Sequence, residues 1–109
     1  MKNKKTIKFQ IENSTDYLNI IDMFIKLNNN LPCYAYLSFK TSVNMGLITK
    51  DNIKICKENI YFGKAYGIDH YKAEFLPENF IILTSNSSRL MNNNEKEYIF
   101  GLHISQNYN

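Results

Sequence analysis

Residues 13–27, NSTDYLNIIDMFIKL, carry the strongest periodic signal in the chain. With Asp16 at zero and about 100° per residue, Leu27, Ile20, Phe24, Tyr17, Ile21, Ile25 and Leu18 fall on one half of a helical cylinder. Asp22, Lys26 and Asn19 fall on the other half. The spacing predicts an amphipathic helix over about residues 14–28, with an apolar face wide enough to lie flat on a sheet. Asn13 or Ser14 can cap its first turn, Asp16 sits where the helix dipole favours negative charge, and Asp22 with Lys26 forms an i,i+4 pair. Met23 falls among the polar positions and is expected at the surface. The triplet 28–30 of asparagines, followed by Pro32, ends the helix.

Elsewhere the pattern alternates with period two. Residues 6–12 predict a first strand with Ile7, Phe9 and Ile11 on one face and Lys8 and Gln10 on the other. Residues 33–40 predict a second, with Cys33, Ala35, Leu37 and Phe39 opposite Tyr34 and Tyr36. Residues 41–46 read as a connection, and 47–56, apolar and β-branched around Lys50-Asp51-Asn52, as two short strands or a hairpin. A short strand is expected at 60–62, a loop over GKAYGIDHYK, and alternation again at Tyr71, Ala73 and Phe75. After a turn at 76–79, the continuous apolar run 80–83 predicts a central strand buried on both faces. The polar, Asn-rich stretch 85–97 reads as a loop with one helical turn near Arg89-Leu90-Met91. Residues 98–104 form the last strand, with Tyr98, Phe100, Leu102 and Ile104 alternating against Gly101 and His103. The expectation is a single α+β domain over 1–109: one amphipathic helix packed on a largely antiparallel sheet of about six short strands.

Composition narrows the class. The chain has 109 residues, 44% of them hydrophobic and 21% charged, values of a folded globular domain. Sixteen asparagines, fourteen isoleucines and twelve lysines against the single Arg89 follow the codon bias of an AT-rich genome, so a low-GC bacterium or one of its phages or plasmids is the expected source. Cys33 and Cys56 are too few and too far apart for a zinc knuckle, and their apolar surroundings predict buried free thiols in a reducing cytoplasm. The opening MKNKK leads into alternation rather than the apolar run of a signal peptide, and no stretch reaches the ~20 apolar residues of a membrane span. A cytoplasmic protein without cofactor, metal or membrane partner is expected.

The net charge of +3 concentrates in the middle of the chain, where residues 40–72 hold six lysines against Asp51, Glu58 and Asp69. That region also holds the densest polar and aromatic cluster, 57–72, for which three readings compete. As a nucleic-acid surface, its lysines would neutralise phosphates while aromatic rings stack on unpaired bases; Glu58 and Asp69 interrupt the basic run, and no RNP-type motif is present. As a catalytic site, His70 would be a general base oriented by Asp69, with a tyrosine as proton donor and His103 brought in by the fold. Adjacent Asp and His point apart in a strand, and the chain has no GxSxG, HExxH, Walker or GxGxxG motif, which leaves an exposed loop histidine as the plainer account.

As a protein-docking surface, Tyr34, Tyr36, Tyr61, Tyr66 and Tyr71 would be anchors, with Lys54, Lys57, Lys64, Lys72 and His70 around them setting orientation. This third reading ranks first, although codon bias also enriches tyrosine. It predicts a small non-enzymatic protein that covers part of a larger protein or ribonucleoprotein. Inhibitors of host defence, anti-CRISPR proteins among them, are small single domains of this general sort, an analogy of size and composition rather than of matched residues. A small RNA- or single-stranded-DNA-binding protein is the alternative. The sequon-like Asn86-Ser87-Ser88 and the 84–88 run read as polar turns.

Overall fold

A computed structural model describes residues 3–85 and 96–108. Six strands form one sheet: β1 (Asn3–Ile11), β2 (Tyr34–Leu37), β3 (Tyr61–Ala65), β4 (Ile68–Lys72), β5 (Phe80–Thr84) and β6 (Lys96–Ile104). The order across the sheet is β1-β6-β5-β2-β4-β3. The contacts β6–β5, β5–β2 and β4–β3 are antiparallel, and β1–β6 and β2–β4 are parallel. One long helix, α1 (Ser14–Leu27), lies against the sheet, and two short ones, α2 (Phe39–Asn44) and α3 (Ile53–Glu58), follow β2. The α+β class with a mostly antiparallel sheet is therefore observed.

Asn13 caps α1: its Oδ1 accepts from the Asp16 amide at 2.8 Å, while Asp16 Oδ2 accepts from the Glu12 amide at 3.0 Å. The second bond reaches the amide before the cap rather than that of the cap itself, a variant of the reciprocal capping box. Tyr17, Ile21 and Phe24 are the buried residues of the helix. Leu18 and Leu27, at the two angular margins of the apolar half, are exposed, as is Met23. Asp22 and Lys26 pair at 2.9 Å in solvent, which contributes only tenths of a kcal/mol, about 0.3–0.5.

The core is one cluster. Ile11, Ala35, Leu37, Ile81, Leu83, Phe100 and Leu102 pack with the α1 stripe, and Cys33 and Met45 close its ends. Strand parity places every buried side chain of the sheet on the α1 side; Gly101, buried on the other, has none.

Four local expectations are corrected. Residues 41–46 are not a plain connection, because Ser38 caps a helix there: its Oγ accepts from the Thr41 amide at 3.1 Å. Residues 47–56 are not a hairpin. Thr49 and Asn52 close a turn, Asn52 O accepts from the Cys56 amide at 2.9 Å, and Asn59 Nδ2 caps Ile55 O at 2.7 Å, so α3 forms on local bonds. It buries only Cys56, leaving Ile55 64% exposed. The segment GKAYGIDHYK is the β3–β4 hairpin rather than a loop, with Tyr66 (φ 56°) and Gly67 (φ 80°) both left-handed at its turn. Finally, β5 is central, but Phe80 and Ile82 are only half-buried, on the side that none of the described helices covers. The expected helical turn near Arg89, the sequon and the 92–94 asparagines lie outside the described residues.

No helix among the described residues is long and apolar enough to cross a membrane. Cys33 and Cys56 are buried free thiols, and burial pushes the Cys33 thiol up to about 12.

Candidate binding face

Alternation along each strand and register between strands decide which side chains meet. On the side away from α1, Tyr36 of β2 is level with Tyr71 of β4, which is level with Tyr61 of β3. One step along, Tyr34 is level with Asp69, and Asp69 with Lys64. Four tyrosine rings thus gather on three neighbouring strands. Tyr71 is their centre: its ring centroid is 5.5 Å from Tyr36 (24° between planes, stacked), 5.2 Å from Tyr61 and 6.2 Å from Tyr34.

Two polar features shape this layer. The Tyr61 hydroxyl donates to Asp69 Oδ1 at 2.7 Å, and this bond to a carboxylate, with the carboxylate's charge and some desolvation, holds the phenol above its usual range. The Tyr36 phenol is also raised, by burial first and then by its neighbours Tyr71 and Tyr34. Three of the rings are half-buried by each other, and Tyr61 is 47% exposed.

The layer continues over the centre of the sheet. Ile82 is level with Tyr36 and with Gly101, and Phe80 is level with His103. The Phe80 ring lies across Gly101, where a Cβ would come within 2.9 Å of it, and stands edge-on to His103 at 5.0 Å. Glycine at 101 is what lets the ring lie down on the sheet. In the sequence, Phe80 and Ile82 read only as part of a buried central strand, and Asp69 and His103 only as companions of His70 in a catalytic reading; none is placed there on a binding face. A glycine in mid-strand opposite an aromatic was the available signal for Phe80.

The other sequence candidates separate from the four tyrosines. Lys64 is exposed at the rim. Lys54 and Lys57 lie on α3. Lys72, on the α1 side by parity, donates to Lys57 O at 2.6 Å and lies 5.8 and 5.9 Å from the Phe39 and Phe62 ring centres. Tyr66 belongs to the covered side: its ring is edge-on to Tyr17 at 4.9 Å, and its hydroxyl is 3.4 Å from that of Tyr108.

His70 is corrected most sharply, for it is 1% exposed and cannot meet a partner. Its Nδ1 is 3.1 Å from Ile68 O, an atom that only accepts, so Nδ1 carries the proton and Nε2 accepts from the Tyr17 hydroxyl at 2.8 Å. Burial lowers the imidazole to about 4, against the opposing pull of the Ile68 carbonyl and of Asp69. Asp69, the neighbour on the strand, points to the opposite face, and so does His103. Asp69 and His70 thus point apart, as strand alternation predicts for neighbours, and no three His, Cys, Asp or Glu residues among those described gather around a metal-sized space.

No protein-family model, curated protein or solved structure matches the chain.

Proposed function

We propose that this protein is a non-enzymatic binding module that covers part of a larger protein or ribonucleoprotein complex with the sheet face opposite α1. The observation that carries the reading is the contact layer of Tyr34, Tyr36, Tyr61 and Tyr71 on a side that none of the described helices covers. Tyrosine supplies wide amphipathic area with few rotamers to immobilise, which is why it dominates protein contact surfaces. Contact between the rings orders them before binding and lowers that cost further. Charge around them is nearly balanced, Lys64 against Asp69, which favours a protein surface over a polyanion. Blocking a host-defence complex, as small inhibitors encoded by mobile elements do, suits a domain of this size and composition.

The stacked Tyr36–Tyr71 pair also supports a second reading, a platform for unpaired bases. On that face, however, Lys8 lies on β1 at the far edge of the sheet, leaving Lys64, among the described residues, as the cation on the strands that carry the rings. Affinity capture from host extract with the wild type and with a Tyr36→Ser/Tyr71→Ser variant tests the proposal. The expected result is a protein partner retained by the wild type and lost by the variant, at unchanged helix and sheet content. Identical partners for both chains overturn it, as does tight oligonucleotide binding that collapses as salt rises.

A further inference from the structure

Beside the tyrosine layer, between the α1–β2 connection and the β3–β4 hairpin, is a cavity of about 280 Å³. Ile25, Leu31 and Ile68 give it apolar wall, while Tyr34, Lys64 and Asp69 give it an aromatic and charged side. We infer that this cavity is the anchor site for one arginine side chain of a protein partner, an inference that rests on the docking reading above and names its chemistry.

Size comes first. Small-molecule sites run to roughly 300–1,000 Å³, and this cavity falls just below that range, the scale of one long side chain inserted from a docked surface. Its apolar wall suits a methylene stem, and the carboxylate suits a charged head. Asp69 is held in place by the Tyr61 hydroxyl on Oδ1 at 2.7 Å. Neither ion pair seen among the described residues involves it, so its charge is available to a ligand.

Geometry then selects guanidinium over ammonium. Among the described residues, Tyr34 is the one aromatic ring in the lining, so a compact cation finds no second face as in an aromatic cage. A planar guanidinium can lie against the Tyr34 ring while its N–H groups reach the carboxylate in the same plane. Lys64, level with Asp69 on the neighbouring strand, opposes any incoming cation. Its removal therefore strengthens binding, an effect opposite in sign to that of every other change at the site.

Short random peptides displayed on phage and selected on the immobilised full chain supply the probe, and enriched peptides are then titrated by fluorescence polarisation. The inference expects arginine to recur among them. Replacing that arginine by alanine, or Asp69→Asn in the protein, lowers affinity about tenfold, and Lys64→Gln raises it about two- to fivefold. Asp69→Asn keeps an acceptor for Tyr61, so an unchanged melting temperature certifies its fold. Peptides that need Tyr36 and Tyr71 but lack arginine, or ignore Asp69→Asn, overturn the arginine site and leave the docking face standing. Failure to enrich any peptide sensitive to Tyr36→Ser/Tyr71→Ser overturns both.

Discussion

His70 and Tyr71 are neighbours on β4 and live in opposite worlds. The imidazole is sealed under α1 with both nitrogens bonded, to Tyr17 and to the Ile68 carbonyl. The phenol ring lies on the other side, half-buried and in contact with the rings of Tyr36 and Tyr61. Both sides are aromatic, so residue type does not distinguish them. Satisfaction does: on the covered side polar atoms are paired within the core, and on the open side large rings stay wet. Contiguous exposed patches of large rings are rare on a folded surface, and this one is what the docking reading proposed above would use.

Truncation exposes the asymmetry at its largest. Phe24 is wholly buried, edge-on to Phe100 at 5.2 Å, and Phe24→Ala is expected to cost about 3–5 kcal/mol in urea unfolding. Tyr36→Ala on the open face removes a ring of similar size and is expected to cost only about 1–2 kcal/mol, mostly its stacking with Tyr71. Equal losses would mean that the open face is a second core.

Acid is the next test, and it acts on the covered side. In the folded chain His70 stays neutral down to about pH 4, whereas in the unfolded chain it takes a proton near its ordinary value of about 6.5. Between these values the unfolded state holds more protons, so stability falls as pH falls, by roughly 3 kcal/mol in total, and is flat above the window as far as this group is concerned. Carboxylates add their own acid dependence. The difference in urea midpoint between wild type and Tyr17→Phe/His70→Leu, followed from pH 7.5 to 4, isolates the imidazole, because that variant removes both partners of the bond at once. Parallel curves would place the proton elsewhere.

The sequence carried the helix and the strand alternation because both are local. The α1 stripe, the Asn13 cap and the Asp22–Lys26 pair need only residues within one or two turns. The opposite orientation of Tyr34 and Tyr36 from Ala35 and Leu37 needs only period two. What the chain did not disclose depends on pairing between distant segments. Tyr61 and Tyr71 join Tyr36 only because β4 runs beside β2 in parallel, a neighbour relation no local pattern encodes. The hairpin at 66–67 was hidden because a tyrosine occupies a left-handed position where asparagine or aspartate is usual; packing of its ring on Tyr17 offsets that strain. Asn28 was legible as a helix stop. That its carboxamide also bonds both backbone groups of Tyr98, 70 positions away, was not. His70 misled for the same reason, since nothing local says that Tyr17 lies across from it.

The smallest expected effect probes the same contrast with a single atom. Tyr17→Phe deletes a hydroxyl whose partner, His70 Nε2, is then buried without a donor, and such a loss costs about 1–3 kcal/mol. Tyr61→Phe deletes a hydroxyl bonded to Asp69 at a shorter distance, 2.7 against 2.8 Å. Judged by bond length and by the charge on its acceptor, the second deletion should be the costlier. Water reverses the order: Asp69 lies at the surface and regains a solvent hydrogen bond, so the second deletion is expected to be the cheaper of the two. Urea unfolding of the two variants in one buffer near neutral pH reads the difference directly. A Tyr61→Phe loss as large as that of Tyr17→Phe would show that Asp69 is shielded from solvent. It would then be a structural carboxylate rather than one held ready for a partner.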